Sequence, residues 1–241
     1  CGAVTTYDGQ QQGKLVRIHE FAPVDLVIRN QNREVISRST GAVADLFHRG
    51  REAFARTGQA LRTLNHRGLL TPQNVELANG TVYWVTASPA KVQTLRQLLH
   101  HRRFTSEELT QIAGQTMSLL DHLHRAGLMH IGLTADALLI SPSGEVFLDR
   151  FGGWKLELGE SIRALPCALP NALTPVEVLH PEAFESGAWT DVYGLAATLF
   201  EAAACRPPND TAARLSDYDE SKIAAPMPVS RKLSRITGRA L

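Results

Sequence analysis

The spacing of apolar residues changes about a third of the way along the chain. Up to residue 87 they come in short runs separated by turn chemistry, and beyond it they recur mostly at helical intervals. Ala3 to Tyr7 and Lys14 to Phe21 are rich in β-branched and aromatic residues, and the Asp8–Gly13 segment between them supplies turn residues, which predicts a hairpin. Leu26-Val27-Ile28 and Val35-Ile36, on either side of Asn30-Gln31-Asn32, predict a second, smaller one. Phe47, Phe54, Leu61 and Leu64 have helical spacing and predict a helix over 45–64, although Gly58 in its middle costs about 1 kcal/mol against Ala. Asn74 to Leu77 and Thr81 to Val85 flank Asn79-Gly80, a strong short hairpin signal.

In the remainder, Thr105-Ser106-Glu107-Glu108 is a capping box. It opens a helix expected to bury Leu109, Ile112, Ala113, Met117, Leu120 and Leu123 along one face. Leu138 to Ile140 and Val146 to Leu148 flank Pro142-Ser143-Gly144 and predict a short hairpin. Residues 153 to 180 show little periodicity. Trp189 to Ala204 is helical again, with Val192, Leu195, Ala196, Leu199, Phe200 and Ala203 expected inside, and ends before Pro207-Pro208. The pattern predicts an α+β protein in two lobes. Residues 1–87 form a small antiparallel β-sheet with one main helix, and residues 88–241 form a mostly helical lobe.

Composition narrows the chemistry. The chain has 241 residues, 44% apolar and 20% charged, which suits a soluble globular protein. Its 25 basic and 24 acidic residues leave a net charge of +1, so there is no bulk electrostatic case for binding nucleic acid or anionic lipid. His100-His101-Arg102-Arg103 reads as the solvated C-terminal end of a helix. Cys1, Cys167 and Cys205 are far apart and form no C-x-x-C pair, which speaks against a disulfide framework or a zinc site and for a reducing cytoplasm. No run of eighteen apolar residues and no signal-like segment is present, so this segment is expected to make no direct membrane contact. An anchor outside it stays open.

Several short motifs fall in a telling order. Cys1-Gly2-Ala3-Val4 looks like the tail of G-x-G-x-x-G-x-V, Val16-Arg17-Ile18-His19 like V-A-I-K, and His66-Arg67-Gly68-Leu69-Leu70 like H-P-N-I-V. The stretch from His130 through Gly132 to Ala137 has the spacing of H-R-D-L-x-x-x-N. Phe151-Gly152 looks like the end of D-F-G, His180-Pro181-Glu182 stands for A-P-E, and Trp189 to Leu195 for the helix that follows. Across essentially the whole chain this resembles the bacterial eukaryotic-like Ser/Thr protein kinases, and so implies a bilobal protein-kinase-like fold. By the same resemblance the chain begins inside the glycine-rich loop and stops before the family's last helix, so a fragment or trimmed domain is expected.

The resemblance also implies where chemistry is lost. Phosphoryl transfer needs cations at the triphosphate and carboxylates for magnesium. The strand Lys is replaced by His19, a shorter side chain without a fixed charge. The helix Glu is replaced by Thr57, the catalytic base by Gly132, the metal-binding Asn by Ala137, and the Asp of D-F-G by Arg150. The nucleotide-pocket positions are Gly2, Val4, Arg17, His19, Thr86, Ala87 and Leu139. Val4 and Leu139 hold the adenine sandwich, but Arg17 stands where a small Ala packs on adenine. Structural positions are largely kept. Leu61, His130 and Phe151 match three of four stacked side chains, the fourth being Pro72. Asp191 is expected to cap the loop around His130, and Glu182 to pair with an Arg past the chain's end.

Asp149 is a weak candidate metal ligand if the register slips by one residue, but such a slip turns a strand side chain to the other face. Asp136 reads as a loop residue or turn cap. His122 and His124, two apart on a helix, diverge and disfavour a shared metal. His130 reads as a packed structural histidine. Ser161 and Thr174 are hydroxyls placed where a kinase-like activation segment accepts phosphate. Trp84, Trp154 and Trp189 read as packing residues. The expectation is a cytoplasmic pseudokinase that needs no cofactor and binds a protein partner, such as an active kinase or another domain of its own polypeptide. The alternatives are a weakly active Ser/Thr kinase using ATP and magnesium, or a nucleotide-binding switch without turnover.

Overall fold

The computed structural model describes residues 3–164, 173–208 and 211. They divide into two compact units. The first holds the chain up to Asn65, Leu70–Ala90 and the stretch that starts at Gly153; the second holds His66–Leu69, Lys91–Gly152 and the described residues from Leu173 on.

In the first unit, β1 (Val4–Gln11), β2 (Lys14–Phe21), β3 (Val27–Arg29), β4 (Val35–Ser37), α1 (Ala42–Leu61), β5 (Pro72–Ala78) and β6 (Thr81–Ala87) follow in chain order. Four strands form one antiparallel sheet in the order β1-β2-β6-β5, and β3 pairs only with β4. The first hairpin turns at Gln12-Gly13, both with positive φ (51° and 78°), and not over the Asp8–Gly13 segment. Asp8 stays in the strand because it lies opposite Arg17, whose Nε donates to its carboxylate at 3.1 Å. The Asn79-Gly80 turn is as the sequence predicts, with φ of 47° and 75°. Gly80 is needed there twice over, since a Cβ would also meet the Val35 carbonyl oxygen at 2.4 Å.

Helix α1 begins three residues earlier than its apolar spacing indicates and ends at Leu61, which leaves Leu64 in the turn beyond. Phe47, Phe54 and Leu61 are buried as predicted. The Phe54 ring stacks on Trp84 with centroids 3.8 Å apart and planes 3° from parallel, and the Trp84 Nε1–H donates to the Phe54 carbonyl at 3.2 Å. This contact accounts for Gly58: a Cβ there would lie 2.3 Å from Trp84 Nε1.

The stretch Gly153–Ala164, for which the pattern predicts no element, forms 3-10 turns with a break at Gly159 (φ 52°). Its Trp154 is 1% exposed and stands edge-on to Phe21 (5.2 Å) and Phe54 (5.9 Å). Arg56 on α1 donates to Glu157 at 2.9 and 2.6 Å, and Arg49 to the Ser161 hydroxyl at 2.7 Å. A second buried feature unread in the sequence is Glu20, 1% exposed, whose carboxylate accepts from Tyr7 (2.9 Å), Tyr83 (2.6 Å) and Arg29 (2.5 Å). It ties the β3–β4 hairpin to the sheet. Burial, reinforced by this carboxylate, raises the pKa of both tyrosines.

The second unit contains β7 (Gln93–Thr94), α2 (Leu95–His101), α3 (Ser106–Arg125), β8 (Leu138–Ile140), β9 (Val146–Leu148), α4 (Val176–Leu179) and α5 (Ala188–Ala204). The predicted β8–β9 hairpin gains β7 as an edge, too short at two residues to leave a pattern. Both α2 and α3 start on complete capping boxes, Thr94 with Gln97 and Thr105 with Glu108. His100 and His101 occupy the last turn of α2, as expected. The buried stripe of α3 is Leu109, Ile112, Thr116, Leu119, Leu120 and Leu123, whereas Met117 is 45% exposed. Thr116 takes the inner place because its hydroxyl is satisfied by the Ile112 carbonyl at 2.8 Å. On α5, Val192 and Ala203 are half-buried and the run from Gly194 to Ala202 is buried. No helix among the described residues is long and apolar enough to cross a membrane.

The substitution Gly58→Ala should lower stability by about 1–3 kcal/mol, despite the roughly 1 kcal/mol that Ala gains in helix propensity. Urea unfolding followed by Trp fluorescence measures it, and a stabilised variant would contradict the Gly58–Trp84 packing.

Candidate functional site

The loop after α3 is held by one carboxylate. Asp191, in the first turn of α5 and 1% exposed, accepts from the backbone N–H groups of His130 and Ile131 at 2.8 Å each and from His124 Nε2 at 2.8 Å. Ile131 is thereby kept at a φ of 48°, an uncommon conformation for a β-branched residue. His130, 0% exposed, places Nε2 2.8 Å from the Asp149 carbonyl. A carbonyl only accepts, so Nε2 carries the proton, and the ring acts as a strut, as the sequence reading expects. Its ring lies 5.2 Å from that of Phe151. The Gly152 N–H closes the frame on the His130 carbonyl at 2.6 Å, where any Cβ would meet the Ile131 oxygen at 2.1 Å.

The positions that the resemblance gives to base and metal ligands sit on this frame. Gly132 has no side chain. Ala137 is 1% exposed, with its N–H bonded to the Thr134 carbonyl and its carbonyl accepting from Asp149 N–H at 3.0 Å. Arg150 is exposed, at a φ of 60°. Asp149 is 1% exposed. Asp136 lies 3.5 Å from Arg96, whose guanidinium also holds Glu201. Leu139 is buried in β8. His122 and His124 diverge as expected, the former toward His66 (ring centroids 5.1 Å) and the latter toward Asp191. Burial, His122 and Arg67 together lower the pKa of His66. Among the described residues, no three His, Cys, Asp or Glu side chains are grouped to hold a metal.

The remaining expected positions lie in the first unit, apart from Gly2, which is outside the described residues. His19 is 2% exposed, opposite Thr6 and Trp84, with Nδ1 3.1 Å from the Thr6 hydroxyl. Arg17 lies opposite Thr86 as well as Asp8, and the buried Thr86 hydroxyl reaches the Arg17 carbonyl at 3.4 Å. Thr57 is buried on α1 and Leu61 is 1% exposed. Val4 is half-buried and Ala87 exposed. Pro72 falls on β5, an edge strand, where a missing N–H is tolerated.

In the second unit the expectation for Thr174 is corrected, and Glu182 meets a histidine among the described residues. Glu182 is an exposed residue, 3.3 Å from His180 Nδ1. The buried carboxylate of this segment is Glu177, which accepts the Thr190 hydroxyl at 2.7 Å and which the sequence reading passed over. Its signal was available in Thr174-Pro175-Val176-Glu177, a helix start with an acid in its first turn. Thr174 is 4% exposed, with its carbonyl accepting from Thr211 at 2.9 Å, and so is no open phosphate acceptor.

The family model described as protein tyrosine and serine/threonine kinase matches residues 30–234. The chain belongs to the protein kinase family. Its relatives include the serine/threonine-protein kinase PLK4 of Danio rerio, 29% identical over 61% of this chain and 16% of that protein. Another is a Streptomyces coelicolor protein named Probable serine/threonine-protein kinase SCO3848, 24% identical over 64% of this chain and 24% of its own length. The chain thus spans a quarter or less of these kinases. The fold matches a structure named PpkA-294 apo form, with a TM-score of 0.83 at 24% identity, covering 100% of this chain and 86% of that one. It also matches Rad53 in complex with AMP-PNP, with a TM-score of 0.60 at 14% identity, covering 86% and 46% respectively. This kinase-family chain therefore has the α+β kinase fold, a sheet unit with one main helix followed by a mostly helical unit.

Removing the carboxylate in Asp191→Ala strands two buried N–H groups and should cost about 3 kcal/mol. Asp191→Asn keeps one acceptor and should cost less. Chemical denaturation of both variants checks the order, and equal small losses would contradict the role of Asp191 as the loop's anchor.

Proposed function

We propose that this kinase-family domain is a pseudokinase, a regulatory or scaffolding module that binds protein and does not transfer phosphate. The observation that carries the reading is the contrast within one loop. The backbone frame that links His130, Ile131, Asp149 and Gly152 is closed by hydrogen bonds, whereas Gly132, Ala137 and Arg150 occupy the positions of base and metal ligands. A guanidinium at Arg150 opposes a magnesium ion by direct charge repulsion instead of holding it. His19 and Thr57 offer no ammonium and carboxylate to grip phosphates, and Arg17 is engaged by Asp8. The two carboxylates next to these positions in sequence are poorly placed to replace them: Asp149 is buried and Asp136 sits beside Arg96.

On this reading the domain works without ATP or magnesium as a cofactor, on the cytoplasmic side. Its partner is a protein, either an active kinase or another domain of the same polypeptide. Thermal unfolding with ATP at increasing concentration, with and without magnesium or manganese, tests it. No shift is expected, whereas a ligand at a hundred times its Kd would stabilise by about 2.7 kcal/mol. A magnesium-dependent rise would overturn the proposal, and autophosphorylation abolished by Asp149→Ala would establish a working, unusual kinase in its place.

A further inference from the structure

Two half-buried histidines face each other in the second unit, away from the frame around His130 and Asp191. His66 opens the stretch His66–Leu69, the part of the loop between α1 and β5 that belongs to this unit, and His122 lies in the last turn of α3. Their ring centroids are 5.1 Å apart, with the planes at 51°. His66 also lines a cavity of about 430 Å³ with Arg67, Gln115, Ser118 and Glu145, so its ring is open to water.

The bond that His66 makes decides what a proton would do there. Its Nδ1 accepts the Gly68 N–H at 3.1 Å. An N–H only donates, so Nδ1 presents its lone pair and the neutral ring keeps its proton on Nε2. Protonation places a hydrogen on Nδ1 as well, and a donor then faces a donor. Gly68 is the seat of the loop: its carbonyl accepts the Leu148 N–H at 2.7 Å, and Leu69 bridges Leu148 in parallel register. A Cβ on Gly68 would lie 2.7 Å from Leu119 of α3, so the loop backbone sits directly against that helix.

The charges around the pair act in the same direction. Arg67 adjoins His66 and is paired with Glu145 of the β8–β9 turn. Asp121 and Arg125, on either side of His122 on α3, are paired with each other at 2.8 Å, and His124 turns to Asp191. Among the described residues no carboxylate bonds to either ring. A proton on one imidazole therefore meets a second imidazole and a guanidinium, with no counter-ion in contact. Burial foremost, then His122 and Arg67, lower the pKa of His66. The unfolded chain takes up this proton at the ordinary value of about 6.5 and the folded chain only below it, so stability is lost as the pH falls through about 6.5.

We propose that His66 and His122 form an acid-sensitive latch, in which protonation of the pair breaks the bond to the Gly68 N–H and releases the loop His66–Leu69 from α3 and β9. The latch is independent of the pseudokinase reading. Amide NMR of the whole chain, labelled selectively at glycine nitrogen, tests it from about pH 8 down to about pH 5, the range over which imidazoles titrate. The Gly68 amide should shift with a midpoint below the ordinary value of about 6.5. His122→Asn removes the neighbouring charge and should raise that midpoint. His66→Asn supplies a side-chain oxygen for the same N–H two residues on but takes up no proton, so its Gly68 amide should stay still across the range. In urea unfolding over that range, acid should raise the unfolding constant of the natural chain at least about threefold more than that of His66→Asn.

A Gly68 amide indifferent to pH in the natural chain would overturn the proposal, and this outcome decides even where a variant does not fold. An equal acid dependence in His66→Asn would also overturn it, by placing the sensitivity elsewhere. So would a midpoint unmoved in His122→Asn, which would leave His66 titrating alone and no latch between the two rings.

Discussion

The second unit depends on a buried carboxylate that meets three donors. Taking Asp191 out of water is expensive unless its oxygens are fully engaged, and here both are, by the amides of His130 and Ile131 and by His124. The arrangement fixes two consecutive residues at once, which is what allows Ile131 to remain left-handed. From there the order passes to His130, to the Asp149 carbonyl and to the Gly152 amide, all through backbone atoms or the imidazole. Neither Gly132 nor the buried Ala137 brings a polar side-chain group to this frame. A loop built in this way keeps its shape when its reactive groups are replaced by hydrogen and methyl. Kinase-like form in this chain rests on backbone atoms and buried polar groups for that reason.

The first unit follows a similar logic with aromatic rings. Trp84 reaches α1 only because Gly58 leaves room for its indole, and Phe54 serves both as its stacking partner and, through its carbonyl, as its acceptor. Trp154 then adds an edge-on ring to the same cluster from a distant part of the sequence. The 3-10 stretch after Gly152 is therefore part of the first unit's core, with Arg56 and Arg49 holding its polar side. A segment fastened by a fully buried tryptophan is ordered by burial, which is worth about 1.5–3 kcal/mol for a large side chain and outweighs its weak local propensity.

Much of this was legible where a local rule coincides with a buried face. Asn79-Gly80 announced its hairpin, the Thr105 and Glu108 pair announced α3, and Phe47, Phe54 and Leu61 marked the inner side of α1. Family spacing found His130 and Asp191. What escaped had no local signature. Asp8-Gly9 reads as a turn until Arg17 is placed across from it, and Thr116 reads as polar surface until its hydroxyl is returned to the helix. Gly153–Ala164 has no 3.6-residue period because its order comes from Trp154. Glu182 matches a family tripeptide in sequence, whereas the burial of Glu177 and its bond to the Thr190 hydroxyl are set by the fold.

The fate of the cations carries the same lesson to the candidate site. Arg17, Arg29, Arg56 and Arg96 each face a carboxylate of the chain itself, namely Asp8, Glu20, Glu157 and Glu201. These pairs hold strands, a helix and a hairpin together. A buried or half-buried guanidinium already bonded to a carboxylate is a poor phosphate ligand, because recruiting it leaves that carboxylate unpaired. Lys91, Arg103 and Arg150, by contrast, are exposed at the surface. On the proposed pseudokinase reading, these interior pairings favour recognition at the surface over chemistry within.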